Sequence, residues 1–327
     1  MNILVTGGAG YVGSHAARLL DRAGHQVWVY DNLALGHRGA FRPERLIVGD
    51  LIDRPKLTAA LAEKQIDAVM HFAAISLVPE SVSDPAKYYQ NNVVGSLSLL
   101  EAMRAAGVQR IVFSSTTATY GIPQTLPITE DEPQRPITPY GFCKVVIEQA
   151  LADYAAAYGF GYAALRYFNA SGASPDGDIG EDHKPESHLI PLVLQVALGQ
   201  RPHITVFGED YPTPDGTCIR DYVHVDDLGT AHVLALDHLR PGTELKLNLG
   251  TGGGYSVRQV IEMCRRVTGH QIPAIVGPRR AGDPPELVAD PSRAKTVLNW
   301  QPRYADLEAI VATAWNWHRA HPRGYGD

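Results

Sequence analysis

Seven residues near the start of the chain, Gly7-Gly8-Ala9-Gly10-Tyr11-Val12-Gly13, limit what it can become. They follow an apolar run at Ile3–Thr6 that reads as a strand, and they lead into Tyr11–Ala23, which reads as a helix. Both Gly7-x-x-Gly10-x-x-Gly13 and Gly8-x-Gly10-x-x-Gly13 fit the turn that binds a dinucleotide. Glycine there permits the tight turn, brings backbone close to a pyrophosphate, and lets the helix pack on its strand. The helix N-terminus supplies free amides and the positive end of a dipole. A merely flexible turn would not need this placement between strand and helix.

The rest of the first half keeps the same rhythm. Gln26–Tyr30, Leu46–Val48, Asp67–Phe72, Arg110–Ser114 and Gly161–Phe168 read as further strands with helical patterns between them. Such alternation predicts an α/β fold: a Rossmann-type, doubly wound parallel sheet with helices on both faces. After Phe168 the rhythm breaks into a Gly-, Asp-, Ser- and Pro-rich loop, Asn169–Glu186, and then into shorter elements punctuated at Pro212–Gly216 and Gly282–Pro285. This region is expected to be a smaller, mixed α/β unit that binds substrate. The expected division is a nucleotide-binding domain at 1–168, joined by a later segment near 226–250, and a substrate region at 169–327. A length of 327 residues suits one or two intimately packed domains.

Charge excludes some classes of function. A net charge of −6 argues against general nucleic-acid binding, so any anionic ligand must be held by local arginines and backbone amides. Cys143, Cys218 and Cys264 are odd in number and far apart, which makes a disulfide framework or a zinc site an unlikely expectation. No metal is expected. Leu189–Leu198 is too short to span a bilayer, and the N-terminus runs directly into a strand, so the expected location is cytoplasmic with no membrane partner.

Asp31 ends the second strand about twenty residues beyond the glycines, where a carboxylate accepts hydrogen bonds from a ribose diol and repels a 2′-phosphate. The pattern favours NAD over NADP, though Arg38 is nearby. Thr138-Pro139-Tyr140 looks like a helix start, with Thr138 as N-cap. Tyr140 and Lys144 then lie one turn apart on one face. A phenol titrates near ~10, and a neighbouring ammonium together with an oxidised nicotinamide would favour the phenolate, making Tyr140 a base. The strand at Ile111–Phe113 ends in Ser114-Ser115-Thr116-Thr117, and one of these hydroxyls could bridge a substrate hydroxyl to Tyr140. The residues alone do not say which.

These motifs, with Gly49-Asp50, His71-Phe72-Ala73, Asn91-Asn92 and Leu165-Arg166-Tyr167-Phe168-Asn169, make the chain similar to the extended short-chain dehydrogenase/reductase superfamily. More specific are Val206–Thr217, Ile219–Val225, Pro278–Asp283 and the ending Trp315-x-Trp317-His318…His321-Pro322-x-Gly324-Tyr325. Through them the chain resembles the UDP-glucose (galactose) 4-epimerase family over essentially its whole length.

The resemblance implies that Gly7, Gly10, Tyr11, Val12, Gly13, Asp31, Asn32, Asp50, Leu51, Phe72, Ala73, Asn92, Lys144 and Tyr167 contact NAD. It implies a catalytic group of Tyr140, Lys144 and Thr116. It places the UDP-hexose against Asn169, His188, Leu189, Thr205, Phe207, Arg220, Arg280, Asp283 and Leu287, and two arginines suit a diphosphate by their fork of donors. The implied reaction oxidises the sugar at C4, turns the 4-keto sugar about its diphosphate tether and reduces it on the other face.

Three positions depart from the family pattern. Thr116 keeps the hydroxyl of a more usual serine, Ser76 replaces a lysine, and His188 replaces an asparagine found in some members. Dehydratases of the superfamily carry Asp-Glu where this chain has Thr117-Ala118, which disfavours water elimination. Epimerases of UDP-N-acetylhexosamines or UDP-uronates are nearer rivals. A noncatalytic NAD-binding sensor is a rival of another class, disfavoured because both Tyr140 and Lys144 are present. Leu287 is expected to gate the group on the sugar's C2. Two long helical patterns, Asp84–Gly107 and Thr138–Tyr158, are expected to pair across a two-fold axis in a homodimer.

Overall fold

The structure is a computed structural model and describes residues 1–280 and 283–326. Its strands are β1 (Asn2–Thr6), β2 (Gln26–Asp31), β3 (Leu46–Val48), β4 (Ala68–His71), β5 (Arg110–Ser114), β6 (Gly161–Tyr167), β7 (Asn169–Ser171), β8 (Ile204–Phe207), β9 (Ile219–Arg220), β10 (Tyr222–His224), β11 (Glu244–Leu249), β12 (Tyr255–Ser256), β13 (Ala274–Gly277) and β14 (Glu286–Leu287). Seven form one sheet in the order β11-β6-β5-β4-β1-β2-β3, and every neighbouring pair is parallel. The strand order reverses at β1, and the crevice for a ligand opens there, beyond the carboxyl ends of β1 and β4.

The helices are α1 (Tyr11–Arg22), α2 (Arg54–Glu63), α3 (Val78–Ser83), α4 (Pro85–Tyr88), α5 (Gly95–Ala106), α6 (Pro139–Tyr158), α7 (Leu189–Ala197), α8 (Val225–His238), α9 (Val257–Thr268), α10 (Ser292–Leu298) and α11 (Leu307–Ala320). None of the described helices is long and apolar enough to cross a membrane. Strand periodicity explains the layers. Ile3 and Val5 point to one face and join Val27, Val29, Met70, Val112, Leu165 and Leu247 beneath α1 and α8. Leu4 points to the other face and joins Val69, Ile111, Phe113 and Tyr162 beneath α2, α5 and α6. Each such apolar side chain contributes about 1.5–3 kcal/mol when fully buried.

Two expectations need correction. The stretch from Asn169 was read as loop, yet Asn169–Ser171 is a strand, because Tyr222–His224 pairs with it in parallel. A partner far along the chain decided that, and no local pattern could. The helix expected over Asp84–Gly107 is interrupted by a π-helical turn at Tyr89–Val94 between α4 and α5. Such bulges accommodate an extra residue, and this one carries Asn92. By contrast, Thr138 caps α6 as expected, its hydroxyl accepting from the Gly141 amide at 3.2 Å.

The chain beyond β6 builds a separate core in which α7, α9 and α11 pack through Ile190, Val193, Leu194, Val260, Ile261, Ile310 and Val311. Short strands ride on it: β12-β9-β14 form one small sheet and β13-β8 another.

Candidate active site

The turn between β1 and α1 is shaped so that only glycine fits. Gly7 has φ +71°, and a Cβ there would lie 2.5 Å from the Ala73 nitrogen. A Cβ on Gly13 would lie 2.2 Å from the Gly7 oxygen. Gly10 starts α1 without any side-chain cap, which leaves the amides of the first turn to a ligand. Phe72 and Ala73 close the far wall, both amides donating to the Thr6 carbonyl at 2.9 and 3.0 Å.

Asp31 does more than the sequence suggested. Its Oδ2 accepts from the Ala9 amide at 3.1 Å and its Oδ1 from the Leu33 amide at 2.9 Å, so it also braces the glycine turn. Burial raises its pKa, while these amides pull it back. Beside it, Asn32 donates to Asp50 Oδ2 at 2.9 Å. Leu51 is buried under α5, where its carbonyl accepts from Ser98. Asn92 is fully buried and clamps both backbone groups of Ile75, at 2.8 and 2.9 Å. Ser76 is exposed in that same connection.

At the carboxyl end of β5 the four hydroxyls separate by their partners. Ser114 meets the Tyr167 phenol at 2.6 Å, Ser115 donates to Glu148, and Thr117 donates to the Tyr167 carbonyl at 3.2 Å. Thr116 Oγ1 accepts from the Ala118 amide at 3.2 Å, which leaves its own proton to give. It also lies within reach of Tyr140, whose phenol it stabilises in the charged form. Among the four hydroxyls, Thr116 is the one beside the Tyr140 phenol.

Tyr140 itself departs from expectation. Burial, followed by Tyr167 nearby, raises its pKa well above the ordinary value, and only Thr116 opposes this. Lys144 does not donate to the phenol; its Nζ donates to the Ser114 carbonyl at 2.8 Å and lies 5.8 Å from the Tyr140 ring centre. Burial brings that ammonium down to about 8. His71 lies behind this group, bridging Thr6 and Ser96 at 2.7 and 2.8 Å. Burial, then the Lys144 charge, brings His71 to about 3, so it is neutral.

The small sheets carry most of the residues that the resemblance assigns to the substrate. Arg220 pairs with Asp283, Leu287 stands in register with Arg220, and the Arg280 guanidinium lies 4.1 Å over the Phe207 ring. Thr205 pairs with Ile275 of β13, and its methyl would lie 3.0 Å from a Cβ on Gly277. Asn169 donates its amide to the Asp221 carbonyl at 3.2 Å, immediately after β6. Leu189 opens α7, while the His188 ring turns toward Glu181 rather than toward Arg220 or Asp283.

Residues 3–250 match the model of the NAD dependent epimerase/dehydratase family. The chain belongs to that family. It is 55% identical over 326 residues to the UDP-glucose 4-epimerase of Halalkalibacterium halodurans, covering 99% of this chain and 98% of that protein. Among solved structures it is similar to UDP-glucose 4-epimerase from Brucella ovis in complex with NAD. That similarity has a TM-score of 0.93 and 51% identity, over 96% of this chain and 97% of the other. The enzyme from Bifidobacterium longum, in complex with NAD+ and UDP, gives a TM-score of 0.94 at 38% identity, over 99% and 100%. A cradle that a single Cβ would fill, at Gly7 and at Gly13, fits the cofactor of this epimerase/dehydratase family.

One functional feature of this family member escaped the sequence reading. Glu148 is buried one turn beyond Lys144 and forms an ion pair with Arg166, which donates to the Tyr120 phenol at 2.8 Å; that phenol in turn donates to Asn248. Since Glu148 also holds Ser115, the network fixes the backbone that presents Thr116. The signal was present as Tyr140, Lys144 and Glu148 at intervals of four on one helix face.

Proposed function

We propose that this enzyme interconverts UDP-galactose and UDP-glucose, with weaker activity on UDP-N-acetylglucosamine. Residues 1–168 with 226–250 hold NAD, residues 169–327 hold the UDP-sugar, and the reaction proceeds in the cytoplasm. The observation that carries this reading is the free hydroxyl of Thr116 beside Tyr140 at the end of β5, in a family member with the cofactor cradle intact.

The glycines at 7, 10 and 13, with Tyr11, Val12, Asp31, Asn32, Asp50, Leu51, Phe72, Ala73, Asn92, Lys144 and Tyr167, line the NAD site. NAD, when bound, supplies reversible hydride acceptance at C4 and a positive charge near the phenol. Tyr140 takes the proton of the 4-hydroxyl, Thr116 relays the hydrogen bond between the two oxygens, and Lys144 supports the phenolate. Arg220 and Arg280 grip the diphosphate end, assisted by Asn169, Leu189, Thr205, Phe207 and Asp283. Holding the substrate by its nucleotide leaves the sugar free to turn between its two faces.

A homodimer belongs to the same proposal. Val82 (62% exposed) and Phe142 (48%), with Tyr89, Val94 and Leu97, leave an apolar strip on α3, the π-helical turn, α5 and α6, and the rings of Tyr89 and Phe142 meet edge to face. A second copy related by a two-fold axis would cover it.

The decisive experiment incubates purified protein with UDP-galactose and no added cofactor, and separately identifies the nucleotide released on denaturation. Formation of UDP-glucose with near-stoichiometric NAD is expected. A preference for NADP, or turnover only on uronates or N-acetylated sugars, would overturn the assignment.

A further inference from the structure

We propose that Glu181, His183, Glu186 and His188 form a binding site for one divalent transition-metal ion, zinc by the chemistry of its donors. The four residues lie in the connection between β7 and α7, spaced Glu-x-His-x-x-Glu-x-His. One donor atom from each lies within 4.8 Å of all the others. His183 Nδ1 is 3.2 Å from Glu181 Oε1 and 3.7 Å from Glu186 Oε1, and His188 Nδ1 also meets Glu181.

Charge explains why a cation belongs there. The carboxylate-bearing side chains of Glu181 and Glu186 are 3% and 5% exposed. Two buried carboxylates side by side are costly unless neutralised. Among the described residues no lysine or arginine pairs with either, and the nearby Lys184 reaches Asp182 instead, at 3.8 Å; with no ion bound, their partners are the imidazoles of His183 and His188. An ion entering here displaces the imidazole protons, after which two carboxylates and two neutral imidazoles supply four donors and a charge of minus two, which one dication balances. Nitrogen and oxygen donors at about 2.0–2.2 Å in a tetrahedron are the preference of zinc. Side-chain rotation alone must even out the donor separations, some shorter and some longer now, to edges of about 3.4 Å.

The surroundings hold this segment ready. Glu186 Oε1 accepts from the amides of Ser187 and His188 at 2.7 and 2.8 Å. The Glu181 carbonyl accepts from Trp317 Nε1 at 3.2 Å, and Asp182 accepts from the Tyr325 amide at 3.0 Å. Gly180 has no space for a side chain, since a Cβ would lie 2.3 Å from the Trp317 ring. With the Glu186 carboxylate and the Glu181 backbone pinned, the histidines stay partly open to solvent, at 27% for His183 and 47% for His188, which gives an ion its path. The His183 ring packs edge-on to Tyr11 of α1, and His188 directly precedes α7. An ion here would tie the start of the second core to the nucleotide-binding turn. This inference does not rest on the proposed reaction.

The test uses full-length protein stripped with a chelator and then titrated with Co2+. Bound metal is counted by mass spectrometry and the visible spectrum is recorded. One Co2+ per chain, with the intense absorption of a tetrahedral site and displacement by Zn2+, is expected. His183→Ala and Glu186→Gln should each weaken binding by at least the roughly 10–100-fold typical of disturbing a metal's surroundings. His270→Ala, at an exposed histidine elsewhere, should leave binding unchanged. Circular dichroism and retained nucleotide establish that each variant is folded. Sub-stoichiometric binding, an octahedral spectrum, or equal affinity in folded His183→Ala and Glu186→Gln would overturn the proposal.

Discussion

At the carboxyl end of the central sheet, shape is set by main chain. Gly7, Gly13 and Ala73 lie so close that one methyl group would displace backbone, and Asp31 adds two amide bonds that hold the turn. On the small sheets, shape is set by side chains, with Arg220 of β9 on Asp283 and Arg280 over Phe207 of β8, on strands of two and four residues. The first kind of surface tolerates almost no substitution and binds one invariant ligand. The second can change residue by residue, which suits the role of sugar-nucleotide recognition proposed for it.

That contrast breaks or stands on graded substitutions. Gly13→Ala should have the largest effect. Its methyl must push the Gly7 carbonyl aside, at roughly 1–3 kcal/mol or more, and the cofactor should be lost with it. The check is the nucleotide recovered on denaturation together with the thermal midpoint. Retention of full cofactor would mean that the turn yields more easily than its geometry implies.

Tyr140→Phe comes next, since it removes the proton acceptor and leaves the cradle alone. Turnover should fall about 10²–10⁴-fold with nucleotide content unchanged. The wild-type rate should rise with pH, because burial holds the phenol protonated and deprotonation creates the base. In Thr116→Val that rise should move to higher pH, because the hydrogen bond that favours the phenolate is gone. A pH profile that stays in place would remove Thr116 from this role.

Arg220→Met tests the side-chain surface. Losing a charge-assisted contact worth about 1.5–3 kcal/mol should raise KM for the UDP-sugar some ten- to a hundredfold. Cofactor content should not change. A simultaneous loss of NAD would show that the two surfaces are not independent.

The smallest expected effect is a change of preference. Leu287→Tyr puts a ring next to Arg220 and should suppress activity on UDP-N-acetylglucosamine while largely sparing UDP-galactose. Competition assays with the two substrates read this directly, and an equal loss of both would exclude Leu287 as a gate.

Elements whose causes lie within a few residues were legible in the chain. Leu46–Val48 and Arg110–Ser114 begin and end as their apolar runs suggest, and the Thr138 cap announces α6. The β7 strand was not legible, because its existence depends on Tyr222–His224, some fifty residues away. Nor was the π-turn at Tyr89–Val94, since an extra residue in a helix leaves the apolar periodicity nearly intact. Tyr140 as a base was legible as a spacing, but the position of the Lys144 head against the Ser114 carbonyl was not.

The sequence by itself determined the parallel sheet, the glycine turn and the pairing of Tyr140 with Lys144 on one helical turn, because each is encoded by local periodicity or by a backbone demand that only glycine meets. Tertiary structure decided which partners four adjacent hydroxyls meet, since Ser114, Ser115 and Thr117 contact Tyr167 and Glu148 from other elements. It also decided that His188 faces Glu181 and that Arg220 meets Asp283. Those choices depend on where distant segments come to rest, and a hydrogen bond between two such segments leaves no pattern in either one alone.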